Sequence, residues 1–99
     1  MINVVQAAPF SRWLHNLQDR RARARIAVRL RRLQAGLVGD VRPVGEGVSE
    51  LRIDYGPGYR LYFFQRNSTT VLLCGGTKAS QPVDIRRALG LARLFKEAE

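Results

Sequence analysis

Ser49-Glu50-Leu51-Arg52-Ile53-Asp54-Tyr55-Gly56-Pro57-Gly58-Tyr59-Arg60-Leu61-Tyr62-Phe63 is a run of two alternating segments about a Gly-Pro-Gly turn. From Val48 onward Leu51 and Ile53 fall on one face of a strand, and Glu50, Arg52 and Asp54 on the other. If residues 56–58 form the loop, Tyr55 faces Tyr59, Asp54 faces Arg60 and Arg52 faces Tyr62. That pairing gathers Leu51, Ile53, Leu61 and Phe63 on one face. A slip of one residue would set Arg60 beside Ile53, so the apolar pattern rejects it. The segment is a β-hairpin with an apolar and a polar side.

Outward from the hairpin, Asn67-Ser68 marks a second turn and residues 70–75 form a further strand, nearly all apolar, as in a strand covered on both faces. Phe64 and Leu72 share the parity of the polar face and call for cover. Pro82 opens a last helix with Ile85, Ala88, Leu89, Ala92 and Phe95 on its buried side. Toward the N-terminus, residues 41–47 hold Pro43, Gly45 and Gly47 and read as a loop with room for a short strand. Ala22, Ile26, Leu30, Leu33 and Leu37 keep a helical period that Gly36 brings to its end. Phe10, Trp13, Leu14 and Leu17 trace a first helix with Pro9 in its first turn, and Asp19 is placed to cap the second. Residues 2–6 alternate weakly, as a first strand. The expected fold is α+β, one domain over residues 1–99: a small antiparallel sheet, a helical hairpin on one face, and a C-terminal helix.

The charge is the strongest compositional signal. Seventeen basic residues, fifteen of them arginine, stand against eight acidic ones in 99 residues, for a net charge of +9. Such a field draws polyanions, and the guanidinium fork matches phosphate; a genome rich in G and C would also favour arginine. Apolar runs stop at residues 61–64 and 71–74, far short of a membrane span. The first residues lack a basic region and an apolar stretch of signal type. Cys74 and His15 are the single cysteine and histidine, so an internal disulfide is impossible and a Cys/His zinc site would lack ligands. The reading is a cytoplasmic domain without metal or cofactor and without a membrane partner.

Two clusters are candidates for function. Arg52, Asp54, Arg60 and Tyr62 share the polar side of the hairpin, and Cys74 and Lys78 join them if the next strand keeps its parity. Three cations, Arg52, Arg60 and Lys78, would then converge as a phosphate site, although an ordinary solvated sheet face carries similar pairs. Arg21, Arg25, Arg29 and Arg32 form one stripe along the second helix. Like charges at that spacing oppose the helix slightly, so the stripe suits nucleic acid or an acidic partner; a solvated helix face is the alternative. Gly75-Gly76-Thr77-Lys78 lacks the first glycine of a P-loop and its strand–loop–helix setting. Cys74 reads as a core thiol, and His15 stands without a visible partner.

The run 49–63, with Leu73-Cys74-Gly75-Gly76-Thr77-Lys78-Ala79-Ser80-Gln81, Val44-Gly45-Glu46-Gly47 and Asp84-Ile85, resembles the addiction-module killer proteins, HigB-like toxins of the RelE/ParE superfamily. The resemblance runs from Trp13 to about Ala92. It implies the order β-α-α-β-β-β-α and a toxin of a type II toxin–antitoxin system. By the resemblance, the partners are a cognate antitoxin, often a helix-turn-helix DNA-binding protein, together with the ribosome and mRNA. Operator DNA is reached only through the antitoxin.

The activity so implied is a metal-independent, ribosome-dependent mRNA endoribonuclease that inhibits translation. Two alternatives remain: a ParE-like inhibitor of DNA gyrase, and a non-catalytic relic that binds nucleic acid or antitoxin. Arg60 matches the family's phosphate-binding arginine. Arg52 and Lys78 are the next catalytic candidates, with Tyr55, Asp54 and Gln81 as substrate contacts. Some RelE toxins carry a tyrosine base on the last helix, where this chain has Ile85. Arginine stays protonated, so Tyr55, Asp54, Lys78 or the ribosome must take the proton.

Overall fold

The computed structural model describes residues 2–98. The chain runs β1 (Asn3–Gln6), α1 (Ala8–Asn16), α2 (Arg20–Gln34), β2 (Val41–Gly45), β3 (Val48–Ile53), β4 (Tyr59–Arg66), β5 (Thr69–Thr77), a 3-10 turn (Lys78–Ser80) and α3 (Gln81–Glu97). The five strands form one sheet in the order β1-β5-β4-β3-β2. The α+β class stands, with two corrections. The sheet is mixed rather than antiparallel, because β1 lies parallel to β5. Residues 41–45 are a full strand, paired antiparallel with β3 through the left-handed turn at Glu46 and Gly47.

The two helices α1 and α2 cover one face. Phe10, Ala22, Ile26 and Leu33 bury against Leu51, Ile53, Leu61, Phe63 and Leu72. Asp19 caps α2 as its chemistry dictates, its Oδ1 accepting from the amides of Arg21 at 3.0 Å and Ala22 at 3.1 Å. Gly36, at φ 84°, turns the chain out of α2 while the Leu37 amide returns to the Arg32 carbonyl at 2.8 Å. Leu37 therefore lies beyond the helix and is 63% exposed, not part of its apolar stripe.

The other face is covered by α3, whose Ala88 and Ala92 pack on Val48, Tyr62, Phe64, Val71, Leu73 and Cys74. Phe64 receives the expected cover, but Leu72 does not lie beside it. A bulge after Tyr62 pairs Tyr62 with Cys74 and then Phe63 with Leu72, which turns Leu72 to the helical-hairpin side. The glycine pair in β5 lets both layers approach. A Cβ at Gly75 would overlap the Trp13 ring of α1, and one at Gly76 would overlap the Asp84 carboxylate and Ser80 Oγ on the α3 side.

The β3–β4 register differs from the expected one by two residues. Ile53 pairs with Tyr59, Arg52 with Arg60 and Glu50 with Tyr62, so the loop is the five residues 54–58. Gly56 and Gly58 take positive φ there, and the Gly58 amide closes onto the Tyr55 carbonyl at 3.1 Å. A shift of two keeps every side chain on its face. The apolar set is unchanged, while Asp54 leaves the strand and no longer faces Arg60.

Candidate functional site

Beyond the apolar cover of α3, the same sheet face turns polar toward the start of that helix. Arg52 and Arg60 are direct cross-strand partners, an arrangement that destabilises a sheet unless a counter-charge intervenes. Glu50 supplies it. Its Oε1 accepts from Arg52 Nε at 2.8 Å, and its Oε2 lies 3.6 Å from Arg60 Nε. Oε2 also accepts from Tyr62 Oη at 3.0 Å and from Gln81 Nε2 at 2.9 Å. Glu50 is 1% exposed. Burial works to raise its pKa, but the hydrogen bonds from Arg52, Gln81 and Tyr62 and the charge of Arg60 prevail and hold it below the ordinary value. The carboxylate is therefore ionised at neutral pH.

Arg60 is buried, 7% exposed, and its Nη1 donates to the Gly58 carbonyl at 3.2 Å. Its Nε has no hydrogen-bond partner among the described residues. The guanidinium is thus fixed by the β3–β4 loop and by Coulomb attraction to Glu50. Lys78 follows β5 directly, in the turn where the Thr77 amide bonds Ser80 Oγ at 3.1 Å and Ser80 Oγ bonds the buried Asp84. The Lys78 amide also bonds the Pro57 carbonyl at 3.4 Å, which locks that turn to the β3–β4 loop. Arg52, Arg60 and Lys78 then line one cavity of about 270 Å³, with the exposed Asp40 and Asp54 on its rim.

Of the residues singled out in the sequence, Arg52, Arg60, Lys78 and Asp54 come together here. Gln81 sits behind them, bonded to Glu50. Tyr55 lies apart: its ring packs on the helical-hairpin core beneath Arg25, whose Cζ is 4.5 Å from the ring centroid. On α2, Arg29 is turned inward, and its Nη1 donates to the Arg52 carbonyl at 2.9 Å. Arg21, Arg25 and Arg32 remain exposed.

Glu50 and Asp84 are the buried carboxylates that the sequence reading left unassigned. The signal for Glu50 was present: one acidic residue on a polar strand face shared with Arg52, Arg60 and Tyr62. Two other titratable groups on this face are chemically quiet. Burial, then the hydrogen bond to Glu50, pushes the Tyr62 phenol well above its ordinary range. Burial likewise pushes the Cys74 thiol up to about 11. No cluster of three His, Cys, Asp or Glu gathers among the described residues, and no helix there is long and apolar enough to cross a membrane.

No protein-family model matches the chain. A protein of Haemophilus influenzae (strain Rd), described as an uncharacterized protein, is 45% identical over 93 residues, which span 93% of this chain and 94% of that protein.

Proposed function

The chain belongs to one family with that Haemophilus influenzae protein, and on the residues of its own site we propose that it is the toxin of a type II toxin–antitoxin pair, a RelE-like mRNA endoribonuclease acting on the ribosome. The observation that carries this reading is the convergence of Arg52, Arg60 and Lys78 on one cavity, with Glu50 buried behind the two arginines. The likeness of residues 49–63 and 73–81 to the addiction-module killer proteins supports it.

In the proposed reaction a ribose 2′-oxygen attacks the adjacent phosphorus, and the bond to the 5′-oxygen breaks. Negative charge grows on the phosphorane oxygens and on the leaving oxygen. Cations fixed in advance stabilise that charge without reorganising, and the ribosome aligns the attacking group. In this reading Arg60 and Arg52 hold the phosphate, and Lys78, which lines the same cavity, is assigned to donate to the leaving oxygen. Tyr55 does not line the cavity, whereas Asp54 does, and the reading assigns removal of the 2′-proton to Asp54.

Purified protein added to ribosomes carrying a defined mRNA tests the proposal by primer extension. The expected result is cleavage within the ribosome-bound codon, with gyrase supercoiling unaffected. Inhibition of gyrase without mRNA cleavage would replace this reading with the ParE-like one. Growth arrest on expression, relieved by an antitoxin encoded beside the toxin, is the corresponding result in cells.

A further inference from the structure

The cavity at the end of the β3–β4 hairpin has a neighbour. A second hollow of about 380 Å³ is lined by Arg25, Val28, Arg29 and Arg32 of α2 together with Ile53 and Asp54. Ile53 and Asp54 also line the first cavity, so the two, one on the α2 side of the sheet and one on the α3 side, meet at a common rim at the end of β3. Arg29 ties that rim to α2: its Nη1 bonds the carbonyl of Arg52, whose side chain lines the first cavity. Its Nη2 reaches the Val38 carbonyl at 3.4 Å. Arg29 is thus committed to the backbone, whereas Arg25 and Arg32 are exposed. Arg25 stacks on Tyr55, and a stacked guanidinium keeps its N–H edges for other acceptors.

We propose that the two hollows form one groove for single-stranded RNA, with the reacting phosphate among Arg52, Arg60 and Lys78 and flanking phosphates on Arg25 and Arg32. This rests on the endoribonuclease reading and extends it from one phosphate to a strand. Continuity is the reason for choosing RNA over an acidic protein segment. A flexible strand with a charge at every unit reaches both hollows across the shared rim, whereas an acidic helix laid along α2 meets only one. Asp54 on the rim repels phosphate and so separates the two binding positions.

The test is fluorescence anisotropy of a short, fully 2′-O-methylated oligoribonucleotide, which lacks the attacking hydroxyl, titrated over a range of KCl. Each phosphate contact on a single strand contributes about 0.7 to the slope of log K against log salt. Arg25→Gln with Arg32→Gln should lower the slope by about 1.4 and weaken binding most at low salt. Arg25→Lys with Arg32→Lys should keep the parent slope, because counterion release follows charge. Should the glutamine pair fail to fold by circular dichroism, each single variant carries the same test at about 0.7. An unchanged slope in a folded variant, from a parent that cleaves mRNA on the ribosome, overturns the groove and leaves the endoribonuclease reading standing. A parent that neither binds the oligonucleotide nor cleaves mRNA removes both.

Discussion

Glu50 and Arg60 lie side by side beneath the sheet surface, Oε2 and Nε 3.6 Å apart, as an ion pair without a hydrogen bond between them. The carboxylate spends its hydrogen bonds on Arg52, Tyr62 and Gln81. It therefore holds Arg60 by charge and Arg52 by geometry. Glu50→Gln keeps the shape and removes the charge, leaving two arginines directly opposed. Loss of one partner from a buried pair costs about 3–5 kcal/mol, and a urea melt should show a loss at the lower end, since Arg52 reaches solvent. The folded fraction should bind RNA with unchanged sign of salt dependence but cleave it more slowly, because the arginines are no longer held.

The same carboxylate sets an acid limit on stability. Its pKa is lower in the folded chain than the ordinary value of 4.5, so the unfolded chain binds the proton more readily. The stabilisation is complete above about the ordinary value and is lost as pH falls through the folded one. Urea midpoints should rise as pH climbs from below the folded value toward the ordinary 4.5, and level above it where Glu50 is concerned. In Glu50→Gln that part of the acid slope should disappear. A variant retaining the full parent slope would assign it to the other carboxylates.

Trp13 and Gly75 give a test of the packing. Gly75→Ala drives a methyl into the six-membered ring of the indole. Overpacking of this kind costs about 1–3 kcal/mol. Trp13→Leu in the same chain should recover part of the loss, which thermal melts of the two single variants and the double variant would measure. Simple additivity of the two changes would mean that the contact is not what excludes a side chain at position 75.

The faces of the sheet were legible because strand side chains alternate with a strict period of two. A register error of two residues left Leu51, Ile53, Leu61 and Phe63 together and Arg52 with Arg60. The parts that were not legible lack such a period. Nothing in the weak alternation of Asn3–Gln6 states that its partner runs parallel. The bulge that turns Leu72 over occurs inside a run of apolar residues, where a shift by one costs the sequence pattern nothing. Glu50 resembled a surface acid because its burial depends on Gln81, brought over it from 31 residues away. Asp19 and Gly36 were readable for the opposite reason, since a cap bonds only to its own few neighbours.

Arg52 and Arg60 should separate in their response to substitution, although both lie on one polar strand face. The side chain of Arg52 is 29% exposed and that of Arg60 is 8% exposed. Arg52→Ala removes a cavity-lining cation while Glu50 keeps Arg60, Tyr62 and Gln81, so the fold should survive. Loss of one donor preorganised for transition-state charge typically lowers the rate about 100–1000-fold, and cleavage of ribosome-bound mRNA should fall within that range. Arg60→Ala opens a hole beside a buried carboxylate and should reduce stability as well, which makes it the poorer probe of chemistry. Arg60→Lys restores a charge near Glu50 but not the planar fork that bonds the Gly58 carbonyl and, on the proposed reading, would also reach a phosphate. It should recover most of the stability and only a small part of the rate. Thermal melts alongside single-turnover cleavage on programmed ribosomes distinguish these outcomes. Full activity in a folded Arg52→Ala protein would remove Arg52 from the phosphate site and leave Arg60 and Lys78 as its cations. Full activity in Arg60→Lys would show that charge alone, without the bidentate geometry, serves at that position.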